Sequence, residues 1–498
     1  MTARGRRPPR RDSGDNAFQL ARGIVLAPIV SGAPGAAAEL IEPAWDGHRV
    51  LATRVGDDVR LAAADFREWT HTFPAIARAL GKLAAPRLAI DGVVCVLDGR
   101  GVPSFDRLRD AVARGPVGGA VLICWDLLHH GDDDLRSHPL AERRRRLAAL
   151  LAGAPPGLVP SQALPGALPD VLAAAAPLGL RGVVVRAAAG DHAAPWCAVP
   201  AAGHAIDWQR SLSPPPPLSN ADKVLFPRDA ITKQAIAAYY RAIAPTMLRY
   251  LIDRPVVVQR WPDGIDEFDW YQHRPPPRAP DYLRAAWVEG VRRIVLDNRD
   301  ALLWMVNQAG LTFHGFASRL AAIAEPDFAV IDLDPGDRTQ WADTIDVALA
   351  VRRTLELLEL PSVVKTSGQR GLHVLVPLAR GHTFAQAEQL ARGVATLLLR
   401  LMPDRVTLEH EKDKRGGRLL VDHRQHLAKT LVVPYSLRGA DRATVSTPIG
   451  WDEVGRSLDP RAFTLRSVPA RLDARGELAA PLLAGGARLD RALARLAG

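Results

Sequence analysis

The chain predicts an α+β architecture in two domains. Three observations lead there. Short β-prone runs alternate with helical stretches along most of the sequence. A polyproline segment, Ser213-Pro-Pro-Pro-Pro217, interrupts that alternation near the middle. Paired acidic residues at strand ends are concentrated after it, in Val-Ile-Asp332-Leu-Asp334-Pro-Gly and in Leu-Leu-Val-Asp422. At 498 residues, 48% of them hydrophobic, the chain can bury more than one core.

Residues 1–18 are rich in Arg, Pro and Gly and poor in apolar side chains, the composition of a disordered basic tail. Residues 19–200 form the first domain. Strands are expected at Arg49–Val55, Val59–Ala62, Leu88–Leu97, Ala120–Leu128 and Gly182–Ala187, with helices at Ala75–Leu83, Leu140–Leu151 and Pro169–Ala176. Residues 201–218 read as the linker. The second domain spans 219–475. Its expected helices are Lys233–Arg249, Ala301–Gln308, Trp341–Leu358 and Ala385–Leu401. Its expected strands are Val256–Gln259, Arg293–Leu296, Phe328–Asp332, Ser362–Thr366, Leu372–Val376, Arg418–Asp422 and Leu431–Pro434. Residues 476–498 read as a closing Ala/Leu/Arg helix.

The net charge of +10 and pI near 9.9 favour a polyanionic partner. Lysine is scarce: seven residues, six of them between Lys223 and Lys429. Cys95, Cys124 and Cys197 are few, odd in number and far apart, which excludes a disulfide framework and a zinc site. No apolar run approaches the ~18 residues of a membrane span, and no apolar stretch follows the N-terminal arginines. A reduced cytoplasmic protein associated with the nucleoid, with no membrane partner, is expected.

Residues two apart on a strand share a face, so Asp332 and Asp334 are neighbours, with Pro335-Gly336 ending the strand. Close carboxylates repel, and a divalent cation with a taste for hard oxygen removes the conflict. Mg²⁺ or Mn²⁺ fits, with Asp422 as a third ligand from another strand. Two ions ~3.5–4 Å apart suit phosphate chemistry. The same residues also suit an ordinary strand end and turn. The next motif bears on that choice. Ser362–Thr366 and Leu372–Val376 are joined by Ser367-Gly-Gln-Arg-Gly371, a loop able to cradle phosphate oxygens, and His373 lies on the returning strand. Around Asp422 the chain is basic, with Lys412, Lys414, Arg415, Arg418, Arg424, Lys429 and Arg438.

Residues 219–455 resemble the polymerase module of bacterial ligase D, a primase-type polymerase of non-homologous end joining. The resemblance runs through Ser219-Asn-Ala-Asp-Lys223-Val-Leu-Phe-Pro, Thr232-Lys233, Arg254-Pro and Arg260-Trp-Pro-Asp-Gly. It continues through Asp332-Leu-Asp334-Pro-Gly, Lys365-Thr-Ser-Gly with Gly-Leu-His373, Lys414-Arg-Gly-Gly-Arg-Leu-Leu-Val-Asp422, Lys429-Thr and Pro434-Tyr-Ser-Leu-Arg438. It implies a primase/polymerase fold with a mixed β-sheet flanked by helices. It implies that Asp332, Asp334 and Asp422 are the catalytic, metal-binding carboxylates. Ser367, His373, Arg415 and His314 would contact the incoming nucleoside triphosphate, and Lys223 and Lys233 would grip a downstream 5′-phosphate. His273, His423 and His426 depart from the family pattern.

Residues 20–200 resemble the nucleotidyltransferase domain of ATP-dependent DNA ligases, an ATP-grasp-like fold. The carriers are Glu42-Pro-Ala44-Trp-Asp46-Gly47-His-Arg49, Ile90-Asp91-Gly92-Val93-Val, Cys124-Trp-Asp126-Leu-Leu and Arg181-Gly-Val-Val-Val-Arg. That family needs a lysine nucleophile where this chain has Ala44. Val93 and Arg181 stand where glutamates are expected, and Trp196-Cys-Ala-Val-Pro200 lacks both lysines of the last motif. The resemblance therefore implies a degenerate domain with no need for ATP as ligase cofactor. The expected function is gap-filling DNA or RNA synthesis at broken ends. Its substrates would be gapped duplex DNA and ribo- or deoxynucleoside triphosphates. Ku and a separate active ligase are the partners such a role would call on. The alternatives are an end-binding scaffold, or a ligase if the first half retains activity.

Overall fold

A computed structural model of the chain describes residues 16–22, 24, 26, 27, 29–31, 39–190, 192, 194, 196–206, 212 and 216–497. Most of the expected basic tail, and residues 207–211 and 213–215 of the expected linker, lie outside them. The chain divides into two compact units, Met1–Pro215 and Pro216–Gly498.

In the first unit, Asp58–Ala63, His48–Val55, Arg87–Cys95, Val121–His130 and Asp133–Asp134 form an antiparallel sheet in that order, and Leu158–Pro160 pairs in parallel with Val121–His130. A second sheet has the order Ile29–Ser31, Trp196–Pro200, Gly182–Ala187, Glu39–Pro43. The helix Phe105–Ala113, capped by Ser104 Oγ on the Arg107 N–H, is an element the sequence reading did not expect.

The second unit has two six-stranded sheets. One is built on Pro255–Arg260 and Gly310–Phe316, with the Arg284–Val288/Val291–Val295 hairpin on one side and Thr430–Val432 on the other. The other runs Val406–Thr407, Leu419–Asp422, Phe328–Asp334, Leu372–Pro377, Val363–Thr366, Pro448–Ile449. It is mixed: Val406–Thr407 is parallel to Leu419–Asp422, and the remaining pairs are antiparallel.

Strand alternation gives this mixed sheet two different faces. Ala329, Ile331 and Leu333, with Leu372, Val374, Val376, Leu419 and Val421, belong to one apolar cluster. The same cluster takes Ile345, Ala348, Val351 and Leu355 from helix Trp341–Leu357 and Leu390, Val394 and Leu398 from helix Phe384–Leu401. Thr383 and Gln386 close a capping box at the start of the latter. The residues between, Asp332, Asp334, His373 and Asp422, consequently fall on the face away from the helices.

The C-terminal segment differs from the single helix expected over 476–498. Pro481 and Gly485, the latter at φ 93°, break it, leaving a 3₁₀ turn at Ala480–Leu483 and a helix only at Asp490–Ala497. Leu489 and Ala492 join the apolar cluster of the mixed sheet, so this segment is part of the second unit's core.

Candidate active site

Register brings the acidic residues together. Asp332 is the cross-strand partner of His373 on one side and of Asp422 on the other. His373 is in turn paired with Lys365. One row of opposed residues thus crosses four strands, and Asp334 lies two residues further along the central one. Asp332, Asp334 and His373 line a cavity of about 620 Å³ whose walls include Ser367, Arg370, Lys412, Arg415 and Arg438.

The charges are unevenly satisfied. Arg415 Nη1 is 3.0 Å from Asp334 Oδ2, and Lys429 Nζ is 3.0 Å from Asp422 Oδ2. Burial would push Asp422 up, but the Lys429 ammonium and the Arg424 N–H bring it below the usual carboxylate range. Asp332 has only His373 Nε2 at 3.5 Å. Burial pushes its carboxyl up to about 7, against the pull of Lys429 and with Asp422 and Asp334 adding repulsion.

The three carboxylates share one sheet edge, yet among the described residues no three His, Cys, Asp or Glu side chains converge closely enough to hold one ion as they stand. The physical reason is repulsion: Asp334 and Asp422 turn to Arg415 and Lys429. In donor chemistry the set still fits a hard divalent cation, because only carboxylate oxygens are offered and Asp332 holds a proton that a cation would displace.

The Ser367–Gly371 loop is tightly built. Ser367 Oγ accepts from the N–H groups of Gln369 (3.2 Å) and Gly371 (3.0 Å), so two of the donors expected to be exposed are already engaged. Gly368 has φ 75°, and a Cβ there would lie 2.8 Å from Ser446 N. A Cβ at Gly371 would lie 2.4 Å from Leu333 O, beside the acidic pair.

Ser367, His373 and Arg415 all line the cavity. Arg415 is buried, with an Nε that has no partner. His314 does not line it. This residue sits on the neighbouring sheet between Val257 and Val432, its Nε2 buried without a partner and its ring 5.7 Å from that of Tyr271. Burial, then Arg438 and Lys365, push its pKa down to about 3. Lys223 Nζ pairs with Asp263 at 2.7 Å. Lys233 is buried at the first position of helix Lys233–Leu251 and donates to Ser219 O at 2.7 Å. Burial, then Lys223, lower its pKa. Sequence reasoning gave no role to Lys365, Gln369 or Arg370, although the register partner of His373 was findable from two strands joined by a five-residue loop.

In the first unit Ala44 is 2% exposed and packs in an apolar cluster with Val93, Trp125 and Trp196. Glu42 and Asp126, both fully buried, are matched by cations. Arg143 bonds both Asp126 oxygens (2.9 and 2.8 Å), Arg144 reaches Glu42 (2.5 Å), and Arg186 contacts both acids. Trp196 has Arg49 and Arg186 at 4.3 and 4.4 Å from its ring centroid.

Fold and site together define a class: a primase–polymerase type domain, with an acidic row on a mixed sheet beside a cavity walled by arginine and lysine. Comparison with known proteins agrees. Residues 232–479 match the family described as "LigD, primase-polymerase domain". The polymerase domain of Mycobacterium tuberculosis ligase D, solved in complex with DNA, superposes with a TM-score of 0.52 at 33% identity, covering 56% of this chain and 100% of that one. The multifunctional non-homologous end joining protein LigD of Mycolicibacterium smegmatis is 36% identical over 283 residues, 53% of this chain and 36% of its own length. DNA ligase C of M. tuberculosis is 34% identical over 122 residues, 22% of this chain and 33% of the ligase. The chain belongs to the LigD primase–polymerase family through its second unit. It spans about a third of the length of the M. smegmatis relative. No helix among the described residues is long and apolar enough to cross a membrane.

The Asp332 carboxyl sets a pH dependence. Its folded pKa, about 7, lies above the ordinary carboxylate value of 3.8. Between those values the folded state keeps a proton that the unfolded chain loses, so this residue's contribution falls as pH rises through that window. In EDTA, the melting temperature of Asp332→Asn minus that of wild type should therefore grow from pH 5 to pH 8 by calorimetry. A difference that is flat or shrinks over that range would contradict the assigned shift.

Proposed function

We propose that the protein is a template-directed nucleotidyltransferase that fills gaps and extends ends during repair of DNA double-strand breaks by non-homologous end joining. The observation that carries the reading is the Asp422–Asp332–His373 register row, of which Asp332 and His373 line the 620 Å³ cavity. Asp332, Asp334 and Asp422 would hold Mg²⁺ or Mn²⁺, with Asp334 and Asp422 exchanging Arg415 and Lys429 for the ions. A bound divalent ion supplies charge stabilisation at the reacting phosphate and a more acidic attacking hydroxyl.

The chain's own groups account for binding and orientation. Arg415 and Arg438 present guanidinium donors to a triphosphate, Ser367 keeps the Gly-rich loop folded against it, and His373 offers a ring N–H beside Asp332. His314, one strand sheet away, would act on the nucleotide only after its buried Nε2 gains a partner. Lys223 and Lys233, near the N-terminus of a 19-residue helix, would bind the downstream 5′-phosphate, a position that the helix dipole favours for an anion. The first unit is read as a ligase-like adenylation domain without the ligase reaction. A buried Ala44 offers no nucleophile, and the acids Glu42 and Asp126 are neutralised by arginines of the same unit. DNA ends, nucleoside triphosphates, Ku and a separate ligase are the proposed partners, in the cytoplasm at the nucleoid.

Wild-type protein should add one nucleotide across a short gap with Mn²⁺ or Mg²⁺, and Asp332→Ala combined with Asp334→Ala should lower the rate at least ~10²-fold. Undiminished extension would remove the catalytic assignment. A 5′-phosphate downstream of the gap should tighten binding, measured by fluorescence anisotropy, and Lys223→Ala should erase that gain; equal affinities with and without the phosphate would return both lysines to structural roles. With α-³²P-ATP no enzyme–AMP adduct should form, and a labelled band on a denaturing gel would show the first unit to be an active adenylyltransferase.

A further inference from the structure

We propose that Lys365 is a positioning residue: its buried amine holds His373 in the tautomer whose Nε2–H faces Asp332 and the cavity. The functional consequence rests on the polymerase reading given above; the tautomer itself does not.

Lys365 has no exposed surface and does not line the cavity, whereas its partner His373 does. It is paired with His373 across adjacent strands, and Nζ lies 2.8 Å from His373 Nδ1. On its other side Nζ lies 2.5 Å from Ser446 Oγ. Ser446 Oγ donates its own proton to Thr366 O at 2.9 Å, so toward Lys365 it accepts. The amine therefore donates on both sides. Toward Nδ1 this holds for the ammonium, which has no lone pair; a neutral amine could instead accept from an Nδ1–H, so the assignment is that of protonated Lys365. With Nδ1 accepting, the ring proton of a neutral imidazole must sit on Nε2. That nitrogen is 3.5 Å from Asp332 Oδ1. Against an ionised Asp332 the opposite tautomer would set a bare Nε2 against a carboxylate oxygen, acceptor facing acceptor.

The hydrogen bonds thus diverge from Lys365: on one side through Ser446 to Thr366 O, on the other through His373 to the Asp332 carboxylate. A purely packing role would be met by an unbranched apolar side chain of similar length, without the cost of burying an amine. Burial, then Arg438, lowers the Lys365 pKa well below its usual value. Partners that fix the ring orientation of an active-site histidine commonly change affinity or activity when removed.

The test uses the full chain labelled with ¹⁵N-histidine, with two-bond ¹H–¹⁵N correlation spectra and His373 assigned by comparison with His373→Gln. Wild type should show the Nε2–H tautomer. Lys365→Met should shift His373 to the Nδ1–H form or a mixture, while Lys365→Gln, which can still donate to Nδ1, should keep it. In one-nucleotide gap extension, Lys365→Met should raise KM for the nucleoside triphosphate about 10- to 100-fold with a smaller effect on kcat, and Lys365→Gln should recover most of the loss. An Nδ1–H signal in wild type, or an unchanged spectrum in Lys365→Met, overturns the inference. Should Lys365→Met fail to fold, Ser446→Ala releases the amine from its anchor; it should populate both tautomers, and an unchanged spectrum would overturn the inference equally. If wild type extends no primer, the polymerase reading falls while the tautomer result stands by itself.

Discussion

The cross-strand row Lys365–His373–Asp332–Asp422 is the constraint on which the second unit depends. Opposed residues on antiparallel strands have Cβ atoms about 5 Å apart. That spacing brings an amine, an imidazole and two carboxylates into one row, with the amine on the imidazole and the imidazole beside Asp332. No loop has to be ordered to do it. The register is held from the other face, where Ile331, Val374 and Val421 pack against two long helices. A slip by one residue would exchange the acidic row for this apolar set, turning charges into the core and aliphatic side chains into the cavity. Packing energy on one side of the sheet therefore fixes electrostatic geometry on the other.

Side-chain hydrogen bonds carry the register past the strand ends. After Asp422 the chain leaves the ladder, and Gln425 takes over its pairing: Oε1 accepts from Val330 N at 3.1 Å and Nε2 donates to Val330 O at 2.8 Å. The strand bearing Asp332 thus keeps a partner beyond the last residue of Leu419–Asp422. On the far side, Thr366 Oγ1 accepts from Thr447 N at 3.0 Å, and Ser446 closes the same contact with Thr366 O. The segment after Pro434 locks the Lys365 strand much as Gln425 locks the Asp332 strand.

Much of this was legible in the sequence. Alternation in Val-Ile-Asp-Leu-Asp and the Pro-Gly after it place Asp332 and Asp334 on one face at a strand end, and the observed strand ends at Asp334. Long helices with an apolar stripe were equally readable; Trp341–Leu357 and Phe384–Leu401 differ from expectation by a residue at most. Pairing was not readable, because Leu419–Asp422 finds Phe328–Asp334 across roughly ninety residues, and nothing local encodes that choice. Gly310–Phe316 was missed as a strand because glycines stand near both ends. Gly310 is there for close approach: a Cβ would lie 2.7 Å from Val258 Cγ1 and 2.8 Å from Met305 O. The terminal helix was overextended because Ala, Leu and Arg outvote single breakers in a composition count, whereas one proline and one left-handed glycine suffice to end a helix.

The two units use the same kinds of residue to opposite effect. In the first, Glu42 and Asp126 are wholly buried, and Arg143, Arg144 and Arg186 satisfy them within the unit. Such a network holds its neighbours in place because losing any one member would strand a buried charge. In the second, the balance is left open. Asp332 is raised to about 7, with His373 rather than a cation beside it. Electrostatic frustration of this kind costs stability, and a site bears it where a ligand is to complete the pairing. By that criterion the charges of the first unit serve its architecture. Those of the second fit the proposed reading, in which a nucleotide and its accompanying cations complete the pairing.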